Sequence, residues 1–253
     1  MKRGALIKVL LRSFFIHCAV NFRRMQNLGF TYSLIPLLDA KKMSDDDKEN
    51  FLVRHLQMFN THPYLSALLI ASIARMEEDR PDGEDAAYIE VVKNSLAGPC
   101  AAIGDTFFWG AMRPCAGIVS TWVALLGVIW APLVFLLCYT PAHLWVRLKG
   151  FSEGYRRGKL GVEFLRKMAL PAWAIRIRWF SVAVLAGLAV WLLSGFAAIG
   201  DGAGHLLFGT GMLALILAFL FLLRRGISQI FILYGGVILL VIISCQEWFT
   251  WWK

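Results

Sequence analysis

The chain has 253 residues, 58% of them hydrophobic and 17% charged, with a mean hydropathy of +0.60. That is too apolar for an ordinary water-soluble domain and points to one embedded in a membrane. A formal net charge of +9 does not argue for nucleic acid, because the bases flank apolar runs, where the positive-inside pattern of membrane proteins accounts for them.

Twelve of the seventeen acids lie before residue 91, so the front of the chain is partly aqueous and the back is not. The five cysteines (18, 100, 115, 138, 245) are scattered through apolar segments with no paired spacing, and read as reduced, buried small hydrophobes. No His/Cys cluster has metal-ligand spacing, and no cofactor motif is present.

The start, "MKRGALIKVLLRSFFIHCAVNFRRMQ", has the basic opening of a signal peptide, but Arg12 interrupts its apolar core and no small-residue cleavage site follows. Leu6, Leu10 and Phe14, with Ile7, Leu11, Phe15 and Cys18, recur at helical spacing while Lys8 and Arg12 take another face. Residues 1–58 are therefore expected to form an amphipathic helical region at the cytoplasmic membrane surface. Within it, Ser44 is placed to cap a water-exposed helix whose stripe is Phe51, Leu52, His55, Leu56 and Phe59.

Residues 59–113 are expected to form a re-entrant hairpin region with an acidic loop at 77–90. The apolar stretch 65–74 is about half the ~20 residues a spanning helix needs, so it is either a hairpin limb or a buried core helix. The run 114–142 carries no charge, and 114–146 is assigned as a transmembrane segment. Residues 147–178 hold nine bases and two acids and are expected to be a cytoplasmic loop. Runs at 179–200, 206–223 and 227–245 make three C-terminal transmembrane helices within 179–253, about four spans in all. Arg224 and Arg225 mark a cytoplasmic turn, leaving "GDGAG" at 200–204 and the tail "EWFTWWK" on the opposite side. The fold class is thus an all-α integral membrane protein with spanning helices, re-entrant hairpins and an amphipathic front.

Parity adds a constraint. With Lys93 and Arg147 both cytoplasmic, residues 94–146 must enter the membrane and return, so 94–113 supplies the second leg or both segments turn within the bilayer. Irregular backbone at that depth has to be covered by protein or water.

Four residues are candidates for contact with a polar solute. Asp105 stands in an apolar run, where a central carboxylate costs about 2.5 to 3.5 kcal/mol on insertion scales. It either caps the helix "TFFWGAM" or contacts a solute or partner subunit. Asn60 and His62 stand in "NTHPY", before Pro63 at a first helical turn, where Asn60 or Thr61 caps the helix or the helix mouth faces a ligand. Trp109 offers an aromatic face for a sugar ring. Structural or interface candidates are Arg113, as a snorkelling anchor or an ion-pair partner of Asp105, and Arg23, Gln26 and Asn27 with Arg24 in "RRMQN", as a cytoplasmic surface for lipid or partner, with Gln26 and Asn27 alternatively lining the site. The basic 147–178 segment is a topology signal or a docking surface for an acidic protein.

Three blocks, "RSFFIHCAVNFRRMQNLGFTYSLIPLL" (12–38), "RHLQMFNTHPYLSALLIASIARMEE" (54–78) and "VKNSLAGPCAAIGDTFFWGAMRP" (92–114), together resemble the IID component of the mannose/fructose/sorbose family of the bacterial sugar phosphotransferase system (PTS). The resemblance covers roughly residues 10–165. It implies a multi-pass inner-membrane subunit that pairs with a IIC component, while soluble IIA and IIB components relay phosphate through their own histidines, so no phosphohistidine role passes to this chain. It also implies an elevator-type carrier assembled as a trimer of IIC–IID heterodimers, translocating a hexose or amino sugar and contacting membrane lipids and no nucleic acid. By itself the chain would not be an enzyme. "GPCAAIGD" stands where relatives read closer to GPLAGVGD, and a shorter C-terminal region leaves open any role as a bacteriocin or phage receptor. Readings from other classes are a non-transporting scaffold or sensor that recruits PTS components, and a membrane enzyme using His62 and Asp105.

Overall fold

The computed structural model describes residues 2–41, 43–81 and 86–197, with scattered positions between 210 and 241. The chain divides into two compact units, Met1–Ala186 and Gly187–Lys253.

In the first unit, α1 (Arg3–Ser13) sets Val9 and Ser13 against the core. Ile7, Leu11, Phe14 and Phe15 stay exposed, an outward apolar face of the kind expected of a surface-lying helix. After an irregular segment comes α2 (Asn27–Lys41), buried at nine positions despite Pro36 inside it. Next, α3 (Asp45–His55) starts as its sequence implies, with Ser44 Oγ accepting from the Asp47 N–H and Asp45, Asp46 and Asp47 in the first turn.

The half-length apolar stretch becomes α4 (Ser66–Asp79), a buried core helix in which every residue from 66 to 74 is buried, as is Glu77. The acidic segment expected as a loop at 77–90 is partly helical: Glu77, Glu78 and Asp79 form the last turn of α4, and α5 (Ala87–Gly104) begins before Tyr88.

Residues 87–125 form one unbroken helical rod: α5, a π-helical segment (Asp105–Met112) and α6 (Arg113–Leu125). The run 114–142, expected as a single span, is divided by a turn at 126–130, after which α7 (Ala131–Arg157) runs back against α6. Gly127 adopts φ +81°, open to glycine at no steric cost, and Pro132 sits in the first turn of α7, so the break has a helix-stop and a helix-start residue on its two sides. Residues 94–113 thus belong to a helical rod that runs on to Leu125, α7 returns along α6 after the turn, and the tip between them is apolar and exposed at Leu126, Val128, Ile129 and Trp130.

The expected basic loop at 147–178 is helical along most of its length. It comprises the end of α7, a 3₁₀ turn (Gly158–Gly161), α8 (Val162–Met168) and the start of α9 (Leu170–Ala197). The helix continues past the apolar run because it carries Val146, Gly150, Phe151 and Gly154 onto α4. A Cβ on Gly154 would overlap the Leu68 carbonyl, so glycine is what lets these two helices approach so closely. Among the described residues one helical stretch, Ala131–Leu192, is long and apolar enough to cross a membrane. In the second unit, the described positions are helical on either side of a turn at 225–226, where Arg225 was expected in a loop. "GDGAG" and the C-terminal tail lie outside the described residues.

One buried carboxylate ties α3, α4 and α5 together. Glu77 accepts from Arg54 Nε and Nη2 at 3.0 and 3.1 Å and pairs with His55 Nε2 at 2.9 Å. Lys93 of α5 donates to the Arg54 carbonyl at 3.0 Å, and Lys41 of α2 donates to the Glu77 carbonyl at 2.9 Å. Burial would raise the Glu77 pKa, but the His55 and Arg54 contacts outweigh it and hold the carboxyl below the ordinary glutamate value. Burial pushes His55 down, towards its neutral form.

The sign of the Glu77 effect follows: the unfolded chain binds this proton first, so the cluster's stabilisation is complete above the ordinary glutamate value and is lost as pH falls through the lower folded one. Glu77→Ala should cost about 3 to 5 kcal/mol by leaving buried cations unpaired. Melting temperature followed from neutral pH down through the carboxylate range should fall less steeply in Glu77→Gln than in wild type; parallel curves would remove Glu77 from the acid transition.

Candidate functional site

Between α3 and α4 the backbone at 56–65 is irregular and largely buried, so its peptide groups need partners. The segment 21–27 supplies them. Gln26 N–H donates to the Phe59 carbonyl at 2.8 Å, and Asn27 Nδ2 donates to the Leu56 carbonyl at 2.7 Å. The Gln26 carboxamide then pairs with both sides of Thr61: Nε2 donates to its carbonyl at 2.7 Å and Oε1 accepts from its N–H at 3.1 Å. His17 Nε2 lies 2.8 Å from the same Gln26 nitrogen.

"RRMQN" was expected to form a cytoplasmic surface. Arg23 is exposed, but Gln26 and Asn27 are buried because a loop with unmet backbone groups takes up their amides.

The helix after "NTHPY" is not capped by Asn60 or Thr61. His62 fills that place: its carbonyl accepts from Leu65 and Ser66 N–H, and its Nδ1 accepts from Tyr64 N–H at 3.3 Å. The His62 ring is stacked on Phe108 at 5.1 Å between centroids and lies 4.8 Å from Trp109. Its Nε2 is buried without a partner, as is Thr61 Oγ1.

On the other side, Tyr64 stacks on His143 at 4.3 Å, and Tyr139 Oη donates to Tyr64 Oη at 3.2 Å. Arg147 Nη2 donates to the Pro63 carbonyl at 2.6 Å.

The π-helical segment shapes the wall facing His62. Its wide turns put Phe107, Phe108 and Ala111 inward and leave Asp105, Trp109 and Gly110 exposed. Asp105 is the first residue of the π-helical segment, but its side chain caps nothing there, since the backbone continues in helical conformation from α5 straight through it. No ion pair joins Asp105 to Arg113 among the described residues; both are exposed, on a rod whose turns place them apart. Asn60 is exposed at the edge of a groove of about 540 Å³, lined also by Gln57, Glu90, Asn94 and Gly98.

Of the four solute-contact candidates, the structure brings His62 and Trp109 together, with Asn60 two residues before His62 and Asp105 one turn before Trp109. Sequence reasoning passed over Tyr64, Phe108, Tyr139, His143 and Arg147. The last three recur at four-residue spacing along α7, a polar stripe that length and hydropathy alone do not single out.

Among the described residues the regular structure is helical, one stretch is long and apolar enough to cross a membrane, and polar and aromatic groups gather on an irregular segment, which places the chain in the class of helical membrane proteins. The chain matches the family described as "PTS system mannose/fructose/sorbose family IID component" over residues 1–249 and belongs to that family. It is 33% identical over 168 residues to the mannose-specific EIID component of Escherichia coli (strain K12), covering 63% of this chain and 59% of that one. It is 35% identical over 173 residues to the sorbose-specific EIID component of Klebsiella pneumoniae, covering 66% and 63%. With the fructose permease IID component of Bacillus subtilis (strain 168) identity is 33% over 171 residues, covering 67% and 61%. The match thus spans about three fifths of these relatives' lengths.

Two solved structures share the fold at 24% identity. A chain described as a membrane protein superposes with a TM-score of 0.73 over 96% of this chain and 97% of its own. A chain of the mannose transporter ManYZ in complex with microcin E492 gives 0.60 over 97% of each.

Gly104 is where the rod comes closest to the site, for a Cβ there would overlap Cβ and Cγ of His62. Gly104→Ala should cost roughly 1 to 3 kcal/mol by overpacking, seen as a lower melting temperature. Gly98→Ala, with open space around it, should be neutral or slightly stabilising.

Proposed function

We propose that this chain is the IID subunit of a PTS permease. With a IIC membrane partner it translocates a mannose-type sugar, a hexose or amino sugar, across the bacterial inner membrane, coupled to phosphorylation by IIA and IIB phosphocarriers. Family membership and relatives named for mannose, sorbose and fructose support the substrate class. The assembly is a trimer of IIC–IID heterodimers, each subunit crossing the bilayer several times with the basic segments cytoplasmic.

The observation that carries the reading is the juxtaposition of His62 and Trp109. A buried imidazole with an unpaired nitrogen, a half-exposed indole and the nearby exposed amide of Asn60 form the kind of surface a neutral sugar needs: hydrogen-bonding groups for hydroxyls and an aromatic face for the ring. Asp105, exposed one turn from Trp109, faces the IIC subunit or the sugar, and the rest of the sugar shell comes from IIC. In this reading IIA and IIB transfer the phosphoryl group and the IID chain supplies one wall of the carrier.

The test is uptake of radiolabelled mannose, fructose and sorbose by vesicles containing the IIC and IID subunits and, inside them, IIA, IIB, phosphoenolpyruvate and the general soluble phosphocarrier proteins that charge IIA from it. Asn60→Ala and His62→Ala should each raise KM about tenfold, one sugar hydrogen bond to a buried or semi-buried group being worth roughly that factor. Asp105→Asn should reduce either copurification of IIC or uptake. Undiminished transport by IIC without this chain would overturn the assignment.

A further inference from the structure

We infer that Arg147 is a positioning residue for the sugar site, acting through the peptide at Pro63 to fix which nitrogen of His62 faces the ligand; this rests on the assignment of His62 and Asn60 to the sugar wall.

The structure offers an unusual guanidinium. Arg147 is 5% exposed, and among the described residues no carboxylate lies within ion-pair distance. Its plane sits over the Phe14 ring at 4.4 Å and within 5.8 Å of Tyr64, its Nη2 is on the Pro63 carbonyl, and its Nε has no partner. A buried cation with no counter-ion is expensive, and packing alone would be served as well by methionine.

Its one strong bond has a readable consequence. The Pro63 carbonyl receives Arg147 Nη2 and also Ser66 Oγ at 2.8 Å, so it is pinned from two helices, α7 and α4. The peptide plane that carries this carbonyl also carries the Tyr64 N–H, which is thereby aimed at His62 Nδ1. A neutral imidazole whose Nδ1 accepts must carry its proton on Nε2. That Nε2–H is a buried, unpartnered donor on a ring 4.8 Å from Trp109, and under the site assignment above it is the donor that a sugar oxygen would take up.

The same face of α7 reinforces the arrangement: His143 stacks on Tyr64 one turn before Arg147, and Tyr139 bonds the Tyr64 hydroxyl one turn earlier still. Arg147 thus couples the return limb of the hairpin to the proton position on His62, about three residues removed from any contact with sugar.

The test compares Arg147→Met, Arg147→Lys, His62→Ala and Asn60→Ala in the full IIC–IID complex with IIA and IIB, using radiolabelled mannose, fructose and sorbose. Arg147→Met should raise KM about tenfold or more with kcat within about threefold, in a complex that still copurifies with IIC. Arg147→Lys keeps a donor for the Pro63 carbonyl and should restore most of the KM, which a role in packing alone would not predict. Wild-type KM in Arg147→Met while His62→Ala raises it would overturn the inference and leave the site assignment standing. Loss of assembled complex in Arg147→Met with no recovery in Arg147→Lys would make Arg147 a folding residue and likewise overturn it. Unchanged KM in both His62→Ala and Asn60→Ala would overturn the site assignment and the inference with it.

Discussion

The first unit is organised around a helix with no free face. From residue 66 to 74, α4 is enclosed on every side, so each neighbour must reach its backbone or fit its side chains. Towards α7 and the 3₁₀ turn the solution is glycine on the neighbours, which leaves room for the backbone and the large side chains of α4. Gly154 and Gly161 meet Leu68 and Ser72, and the broad contact between α4 and α7 depends on that absence of side chains. In a membrane-type protein this matters more than in water, because close van der Waals packing replaces much of the hydrophobic drive between helices. The irregular segment at 56–65, the α7 stripe and the π-helical wall are all placed by where α4 begins.

Enclosure creates a polar problem at both ends of α4, and the chain meets it with side chains used as backbone substitutes. At the start, the Gln26 carboxamide does for Thr61 what a neighbouring strand would do, and Asn27 does the same for Leu56. At the end, Glu77 is shared by Arg54 and His55, so that one carboxylate joins the acidic surface helix to the core. The first arrangement leaves Thr61 Oγ1 and His62 Nε2 unspent among the described residues; the second leaves His55 Nδ1 so, while drawing on nearly all that its carboxylate offers.

Much of this was legible in the residues. Ser44 announced its helix, the apolar stretch 65–74 was too short to span and so was either a hairpin limb or the buried core helix it proves to be, and His62, Trp109 and Asp105 stood out as polar or aromatic groups in unlikely company. Three parts were not legible, each for a physical reason. Hydropathy averages over a window, so the turn at Gly127 vanished inside an uninterrupted apolar run. A π-helical segment has no compositional signature, and its register shift moved Asp105 from the cap it resembled to an exposed wall. Charge in a basic segment looks alike whether solvated or buried; Arg147 counted as one of nine topological bases, and only the contacts of α7 show it lying between Phe14 and Tyr64. For Gln26 and Asn27 the sequence left a surface and a site lining both open, because their neighbours Arg23 and Arg24 lend them a surface character that their burial does not bear out.

The tip of the hairpin at 126–130 has a mechanical meaning of its own. A loop that carries charges resists being dragged through hydrocarbon, and such loops fix a protein's depth like a bolt. This one is Leu, Gly, Val, Ile and Trp, and four of its side chains are exposed. Moving the tip through hydrocarbon would strip no ion of its hydration; the nearest exposed charge on the outward limb is Arg113, with Asp105 beyond it. Graded resistance comes first from Trp130, whose ring favours the interfacial zone. Such an element behaves less like a bolt than like a piston with a soft stop, its resting depth set by the thickness of the surrounding bilayer.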